Sequence, residues 1–461
     1  MWVPRFNEHN QPMYLMVASA LERDIERGLL VAGERLPTLK ALATALDVTP
    51  GTISRAYDEA RRRGLVLGEV GRGTFVAKGT ASTPGGAPSL VASIPSSGQL
   101  DLSVIKPNGE GLEFWLRDAL INLAQGADLT RSLDYAPDGG HPQHREAGAQ
   151  WLRQALPDAQ WQQVVITAGA QHGLLVAMSG LTRSGDLILC EELCYPGIIS
   201  LAHNTGRRLR GVAMDEEGII PEALREQCRR EKPAMLVCVA TCQNPTTATM
   251  SEARRAQIAE IAREFDFFIL DDDIYGFLAD TPLRPLASFA PERSVYLTSL
   301  SKSVMPALRI GYLYGPPETL SRLTALVRTS VWMPSPLTAQ LASQLINDGL
   351  GHRLMLLQRE EAAARQAIAA QVFQGLRLQV QPHSYHLWLT LPEPWSSDEF
   401  VTLARANGVT LLSGSQFLAE RSGSTRGVRI VLMSPTSREQ LRFALTKLAS
   451  LIASSEPRLY Y

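Results

Sequence analysis

Residues 79–98 read GTASTPGGAPSLVASIPSSG: seventeen of the twenty are Gly, Thr, Ala, Ser or Pro, and none is charged. Such a stretch cannot bury enough apolar surface to offset the entropy of ordering it. It reads as a flexible linker over 79–100, between a head of residues 1–78 and a body of residues 101–461. The 461 residues suit more than one domain. Hydrophobic residues at 45% and charged residues at 20% exclude disorder throughout. No apolar run approaches the roughly 18 residues of a membrane span, and no apolar signal core opens the chain, so a cytoplasmic protein is expected. Cys190, Cys194, Cys228, Cys238 and Cys242 make no C-x-x-C pair, and no His pair stands at zinc spacing. They read as reduced, mostly buried thiols, with no metal site. The net charge of −1 gives no hint of a polyanion partner, so DNA binding needs a local motif.

The head supplies one. Tyr14, Ala18, Leu21 and Ile25 share a helical face, with Gly28 beyond it. Pro37-Thr38 opens a second helix with Leu39, Leu42, Ala43 and Leu46 at helical spacing. Thr49 caps a third, with Pro50 at its first position. Ile53, Ala56, Tyr57 and Ala60 form its apolar face, and Thr52, Arg55, Glu59 and Arg62 the opposite one. Leu65-Val66-Leu67 and Thr74-Phe75-Val76 flank a turn at 68–73, a hairpin pattern. Three short helices and a ribbon make a winged helix-turn-helix, whose third helix enters a major groove. Arg72 and Arg61 to Arg63 are placed to meet phosphates. The head carries 11 Lys/Arg against 9 Asp/Glu, a modest surplus.

The stretches G-x-L-x-x-G-E-R-L-P-T-x-x-x-L-A, A-Y-D-E-A-R-R-R-G-L and G-R-G-T-F-V resemble the GntR family of bacterial repressors, over nearly the whole head. The resemblance implies DNA contacts at Lys40, Thr49, Thr52 and Arg72, and Arg55 joins them on the polar face of the third helix. Lys40 and Pro50 stand where the family usually has Arg, so the operator sequence does not transfer from relatives.

In the body, apolar runs at 187–190, 235–240 and 267–270 alternate with amphipathic segments such as Ile258, Ile261, Ala262 and Phe265. Strand, helix, strand in repetition predicts a mainly parallel sheet covered on both faces, with ligands at the carboxyl ends of its strands. Asp271, Asp272 and Asp273 end one strand, and Ser299-Leu300-Ser301-Lys302 follows another at 294–297, with Arg309 seven residues on. A lysine, serines and an arginine suit a bound phosphate beside an amine nucleophile.

The order Asn244-Pro245-Thr246, Asp272-x-x-Tyr275, Ser299-x-Ser301-Lys302, Arg309 resembles class I/II aminotransferases, the fold-type I enzymes of pyridoxal 5′-phosphate (PLP). Tyr135 with Gly140, Thr167-x-Gly169-Ala170-Gln171, Tyr195-Pro196-Gly197 and Gly427-Val428-Arg429 extend the likeness over about 101–450, with a smaller C-terminal α+β domain. The resemblance implies that Lys302 bonds covalently to PLP and carries the reaction's proton. Asp272 then faces the ring nitrogen, Tyr275 and Asn244 the ring oxygen, and Tyr195 stacks on the ring. Ala170, Gln171, Ser299, Ser301 and Arg309 hold the phosphate, which Tyr135 reaches from a partner subunit. Arg429 takes a substrate or effector carboxylate. Three departures sit where a substrate is shaped: Thr247 for Gly, Ser384-Tyr385 for a Gly pair, and Ser413-Gly414 for Pro-Gly.

Head, linker and body in this order resemble the MocR-type subfamily of GntR regulators. The resemblance implies a homodimeric transcription regulator that binds a two-half-site operator and senses PLP or a small amine or amino acid. A working aminotransferase with an appended head stays open beside it.

Overall fold

The computed structural model describes residues 2–4, 12–26, 29–31, 33–62, 65–69, 73–76, 99–126, 132–420 and 425–454. The chain divides into two compact units, residues 1–88 and 89–461. The stretch 79–98 lies outside the described residues, as do Gly28, Arg63 and Arg72.

In the first unit, α1 (Met13–Glu26) and α3 (Pro50–Arg62) pack together with α2 (Leu39–Leu46) beside α3. Val17, Leu21, Leu42, Ala43, Ile53, Ala56, Tyr57 and Ala60 form its buried core. Thr38 caps α2 by accepting from the Ala41 amide, and Asp47 ends the helix in the left-handed region at φ 53°. Thr49 Oγ1 accepts from the Thr52 amide at 3.2 Å, which caps α3 before Pro50. The Tyr57 hydroxyl donates to Pro37 O at 2.9 Å and ties α3 to the start of α2. β1 (Val66–Glu69) and β2 (Gly73–Val76) pair antiparallel with Glu69 opposite Gly73, so the ribbon runs further into the expected turn.

The second unit is built on a seven-stranded sheet. Its strands are β3 (Val164–Thr167), β4 (Leu187–Glu191), β5 (Arg208–Val212), β6 (Met235–Cys238), β7 (Phe268–Asp272), β8 (Ser294–Ser299) and β9 (Gly311–Tyr314). The order is β3-β9-β8-β7-β6-β4-β5. β9 is antiparallel to both neighbours and the other pairings are parallel. β3, β4, β6 and β8 are buried at every position, as a sheet covered on both faces requires. β7 runs on through Asp271 and Asp272, so the acids belong to the ladder rather than to a loop after it.

A four-stranded antiparallel sheet forms the smaller C-terminal part: β10 (Arg377–Gln379), β11 (His386–Thr390), β12 (Leu412–Ser413) and β13 (Gly427–Val431), in the order β10-β11-β13-β12. Leu100–Asp101 pairs in parallel with Val409–Thr410, so the first described residues after the linker stretch join this part.

Candidate cofactor site

The carboxyl ends of β7 and β8 and the turn after β6 surround a pocket of about 190 Å³. Ala170, Gln171, Tyr195, Asn244, Asp272, Tyr275, Ser299, Ser301, Lys302, Arg309 and Arg429 all line it, with Ser103, Val104 and Ile105. A larger concavity of about 660 Å³ lies at the amino ends of the strands. There Lys232 and Arg293 both pair with Asp266, at 3.3 and 3.4 Å. The chemistry-bearing groups converge in the smaller pocket.

One end of that pocket is built for an anion. Gly169 precedes α4 (Ala170–Leu181) at φ 82°, with no side-chain cap over the first turn, so backbone N–H groups remain available. A Cβ at Gly169 would stand 2.7 Å from the Arg309 guanidinium, so only glycine lets that cation approach. Arg309 Nη1 donates to Ser301 Oγ at 3.5 Å, and Ser299 Oγ accepts from the Ser301 amide at 3.0 Å.

The other end holds the acid, the amine and a second cation. The three adjacent carboxylates go different ways. Asp271 accepts from the Ala287 amide at 2.9 Å, and Asp273 from the Tyr296 hydroxyl at 2.8 Å. Asp272 points into the pocket, 1% exposed, and its Oδ1 has no hydrogen-bond partner among the described residues. Burial, with Asp271 and Asp273 beside it, pushes its carboxyl up to about 8. Burial, then the Arg429 and Arg309 cations, pull the Lys302 amine down to about 8. Lys302 Nζ donates to Ile105 O at 2.5 Å.

Arg429 donates to Asn244 Oδ1 at 2.8 Å and to Ser103 O, and its guanidinium lies 4.9 Å from the Phe417 ring centre. Its Nε is buried without a partner among the described residues. The Asn244 oxygen thus serves Arg429, which leaves the amide N–H₂ for a ring oxygen.

Tyr135 stands apart. It is 70% exposed, packs on Trp332 at 5.8 Å between ring centres, and does not line the pocket of its own chain. In the head, Lys40, Thr49 and Arg55 are exposed and Thr52 is half-buried. The Thr49 and Thr52 hydroxyls are hydrogen-bonded to each other at 2.9 Å.

Several groups at the site carry no sequence signal. Ser103 and Ile105 act through backbone oxygens. Tyr385, flagged only as a departure, is fully buried, and its hydroxyl donates to Lys302 O at 2.9 Å. His386 accepts burial by staying neutral, with its imidazole pushed down to about 3 by desolvation and then by Arg429.

Thr247 adopts φ 68°, the left-handed conformation that suits glycine, and its buried Oγ1 lacks a partner among the described residues. Such a backbone costs a side-chain residue about 1–2 kcal/mol, against roughly 0.5–1 kcal/mol for glycine's extra entropy. Thr247→Gly is therefore expected to raise Tm by a few degrees in thermal melting. A fall of that size would mean the loop needs the hydroxyl.

A family model described as aminotransferase class I and II matches residues 98–448. The chain belongs to that family. Its cofactor is pyridoxal 5′-phosphate, and the pocket fits it: an orphaned acid for a ring N–H, an amine, and an anion cradle. Residues 13–76 match the model described as bacterial regulatory proteins, gntR family. The uncharacterized HTH-type transcriptional regulator YdeF of Bacillus subtilis (strain 168) is 27% identical over 451 residues, 98% of this chain and 96% of YdeF. A kynurenine aminotransferase of Pyrococcus horikoshii, solved with PMP, superposes with a TM-score of 0.72 at 23% identity, over 78% of this chain and 92% of that one. LysN, the α-aminoadipate aminotransferase of Thermus thermophilus, solved with N-(5′-phosphopyridoxyl)-L-leucine, gives 0.69 at 24% identity, over 78% and 93%. A gntR-family head on a fold-type I aminotransferase body is the MocR architecture of transcriptional regulators. No helix among the described residues is long and apolar enough to cross a membrane.

Proposed function

We propose that this regulator binds DNA as a homodimer in the cytoplasm and that an amine or amino acid, taken up at its PLP site, alters its DNA affinity. The observation that carries the reading is the presence, on one chain, of a gntR-family head and a pocket that gathers Lys302, Asp272 and Arg429.

PLP, when bound, supplies a carbonyl carbon for an amine and a ring that withdraws electrons. The chain's residues do the rest. Lys302 with its lowered amine is substantially neutral near pH 8, so it can act as nucleophile and then as proton carrier. Asp272 holds a proton toward the ring nitrogen. Asn244 and Tyr275 donate toward the ring oxygen, and Tyr195 covers the ring face. Gly169, Ala170, Gln171, Ser299, Ser301 and Arg309 enclose the phosphate. Arg429, already oriented by Asn244, receives the carboxylate of an amino acid. In the head, Lys40, Thr49, Thr52, Arg55 and Arg72 form the DNA face, and two heads read two half-sites.

A working aminotransferase is the second reading, favoured by the complete set of reacting groups in the pocket. It predicts a keto acid released from an amino acid with pyridoxamine phosphate left behind.

DNA enriched on the full-length protein from random duplexes supplies the probe for both. Fluorescence anisotropy is expected to show tight, sequence-selective binding that PLP or an amine alters. Weak binding that salt erases, with keto acid released, would support the enzyme instead. Arg55→Ala is expected to raise the DNA Kd about tenfold and lower the salt slope by about 1, with Tm unchanged. Unchanged affinity would take Arg55 off the DNA face.

A further inference from the structure

The segment that begins just past the linker stretch is fastened to the two functional cations of the pocket. Leu100–Asp101 pairs with Val409–Thr410, and the Val431 amide donates to Leu102 O at 2.9 Å. Asp101 Oδ1 then folds the chain by accepting from the Ser103 amide at 2.8 Å and from the Ser103 hydroxyl at 2.5 Å. That turn aims Ser103 O at Arg429, and Ile105 O two residues later at Lys302. Gln358 clamps the far end by accepting from the Asn108 amide at 2.7 Å and donating to Asn108 O at 2.9 Å. Leu102, Ser103 and Ile105 are buried.

The strap of residues 101–105 is thus pinned at both ends, and its middle rests on side chains that have other work. A guanidinium has a limited set of donors in a fixed fork. A ligand carboxylate bound bidentately to Arg429 needs the face of that fork which now serves Ser103 O and Asn244 Oδ1. Arg429 cannot hold all three in one geometry. The strap is also the stretch of body closest in sequence to residues 79–98, so a change in its fastening is delivered where the chain leaves for the head.

We propose that the strap is the coupling element of the regulator: occupation of Arg429 by a ligand carboxylate releases Ser103, and the freed strap changes how the linker holds the head. The proposal rests on the regulator reading above. It makes Asp101 and Gln358 positioning residues for the response rather than for cofactor binding. A ligand shifts DNA affinity only through its different affinity for the two strap states.

The test needs no knowledge of the natural effector. Arg429→Leu removes the tie permanently and imitates the released state. In the full-length PLP-loaded protein, amide hydrogen exchange at residues 102–106 is expected to speed up at least tenfold. On DNA enriched on the wild-type protein, the Kd is expected to change at least fivefold without any added ligand. Asp101→Ala loosens the same turn without touching the pocket. It is expected to shift exchange and DNA affinity the same way while its PLP absorption and titration stay as in the wild type. The second variant keeps the test sound if Arg429→Leu fails to fold. Unchanged exchange in the variants overturns the strap. Faster exchange with DNA affinity within twofold of wild type overturns the coupling. Wild-type protein that enriches no DNA sequence fails the regulator reading and, with it, the coupling, while the exchange result still decides whether Arg429 holds the strap.

Discussion

Lys302→Ala is expected to abolish covalent capture of PLP while leaving the DNA Kd of the cofactor-free protein within twofold of wild type. Borohydride treatment followed by peptide mass mapping reads the first. Wild-type protein gains one cofactor at Lys302, and the variant gains none in the pocket. The expected loss is complete because the described pocket lining holds no other lysine. The DNA affinity survives because the variant leaves the head's own core and its exposed Lys40 and Arg55 untouched. What disappears is the response of DNA binding to PLP. A variant that still responds normally would sink the role of Lys302 in sensing.

The same amine fixes a pH dependence. Lys302 reacts as the neutral amine, and burial, Arg429 and Arg309 lower it from 10.5 to about 8. Capture is therefore expected to accelerate about tenfold per pH unit below 8 and to level off above it, where an ordinary surface lysine would keep gaining. A rate that still climbs between pH 9 and 10 would show that the pocket does not lower the amine.

Much of this molecule is legible because its elements are local. The face of Ile53, Ala56, Tyr57 and Ala60 is a helix period, and all four are buried. The run ending in Asp272 is too apolar for anything but a strand covered on both faces. The pocket was legible for another reason: its side chains come from short motifs at the ends of strands, and a parallel sheet brings those ends together. Contacts made by backbone oxygens are not legible in that way. Nothing in Ser103 or Ile105 as residue types announces an oxygen aimed at a cation 326 or 197 positions away. The conformation of Thr247 is hidden likewise, since a β-branched residue argues against the positive φ it adopts. Strand ends were misjudged where acids follow apolar residues, because ladder pairing with β8 holds Asp271 and Asp272 in the sheet against their own preference.

Asp272→Asn is expected to weaken PLP binding by roughly 10- to 100-fold, the worth of about 1.5–3 kcal/mol for a buried hydrogen bond to a charged group. The same change is expected to make the cofactor-free protein more stable, and the sign follows from the proton balance. Folding raises Asp272 from 3.8 to about 8 through burial and its acidic neighbours. Between those values the folded chain holds a proton that the unfolded chain has released, so stability falls as pH rises, by at most about 1.4 kcal/mol per unit for one group. The contribution is whole below pH 3.8 and gone above about 8. Glu191 and Asp271, each raised to about 7, and Asp273, raised to about 6, slope the same way. Lys302 slopes oppositely between about 8 and 10.5, because there the unfolded chain is the one that keeps its proton. The Tm of the cofactor-free protein should therefore pass through a minimum near pH 8. In Asp272→Asn the fall toward that minimum should be shallower but not absent, since three other buried acids remain. An unaltered slope together with PLP affinity within twofold of wild type would place the functional proton on another group. Because PLP supplies the N–H that Asp272 lacks in the protein alone, loading the wild-type protein should raise Tm most near pH 8, where the isolated carboxylate costs most. In the variant that pH-dependent gain should flatten, because the asparagine carries no charge for the ring to neutralise.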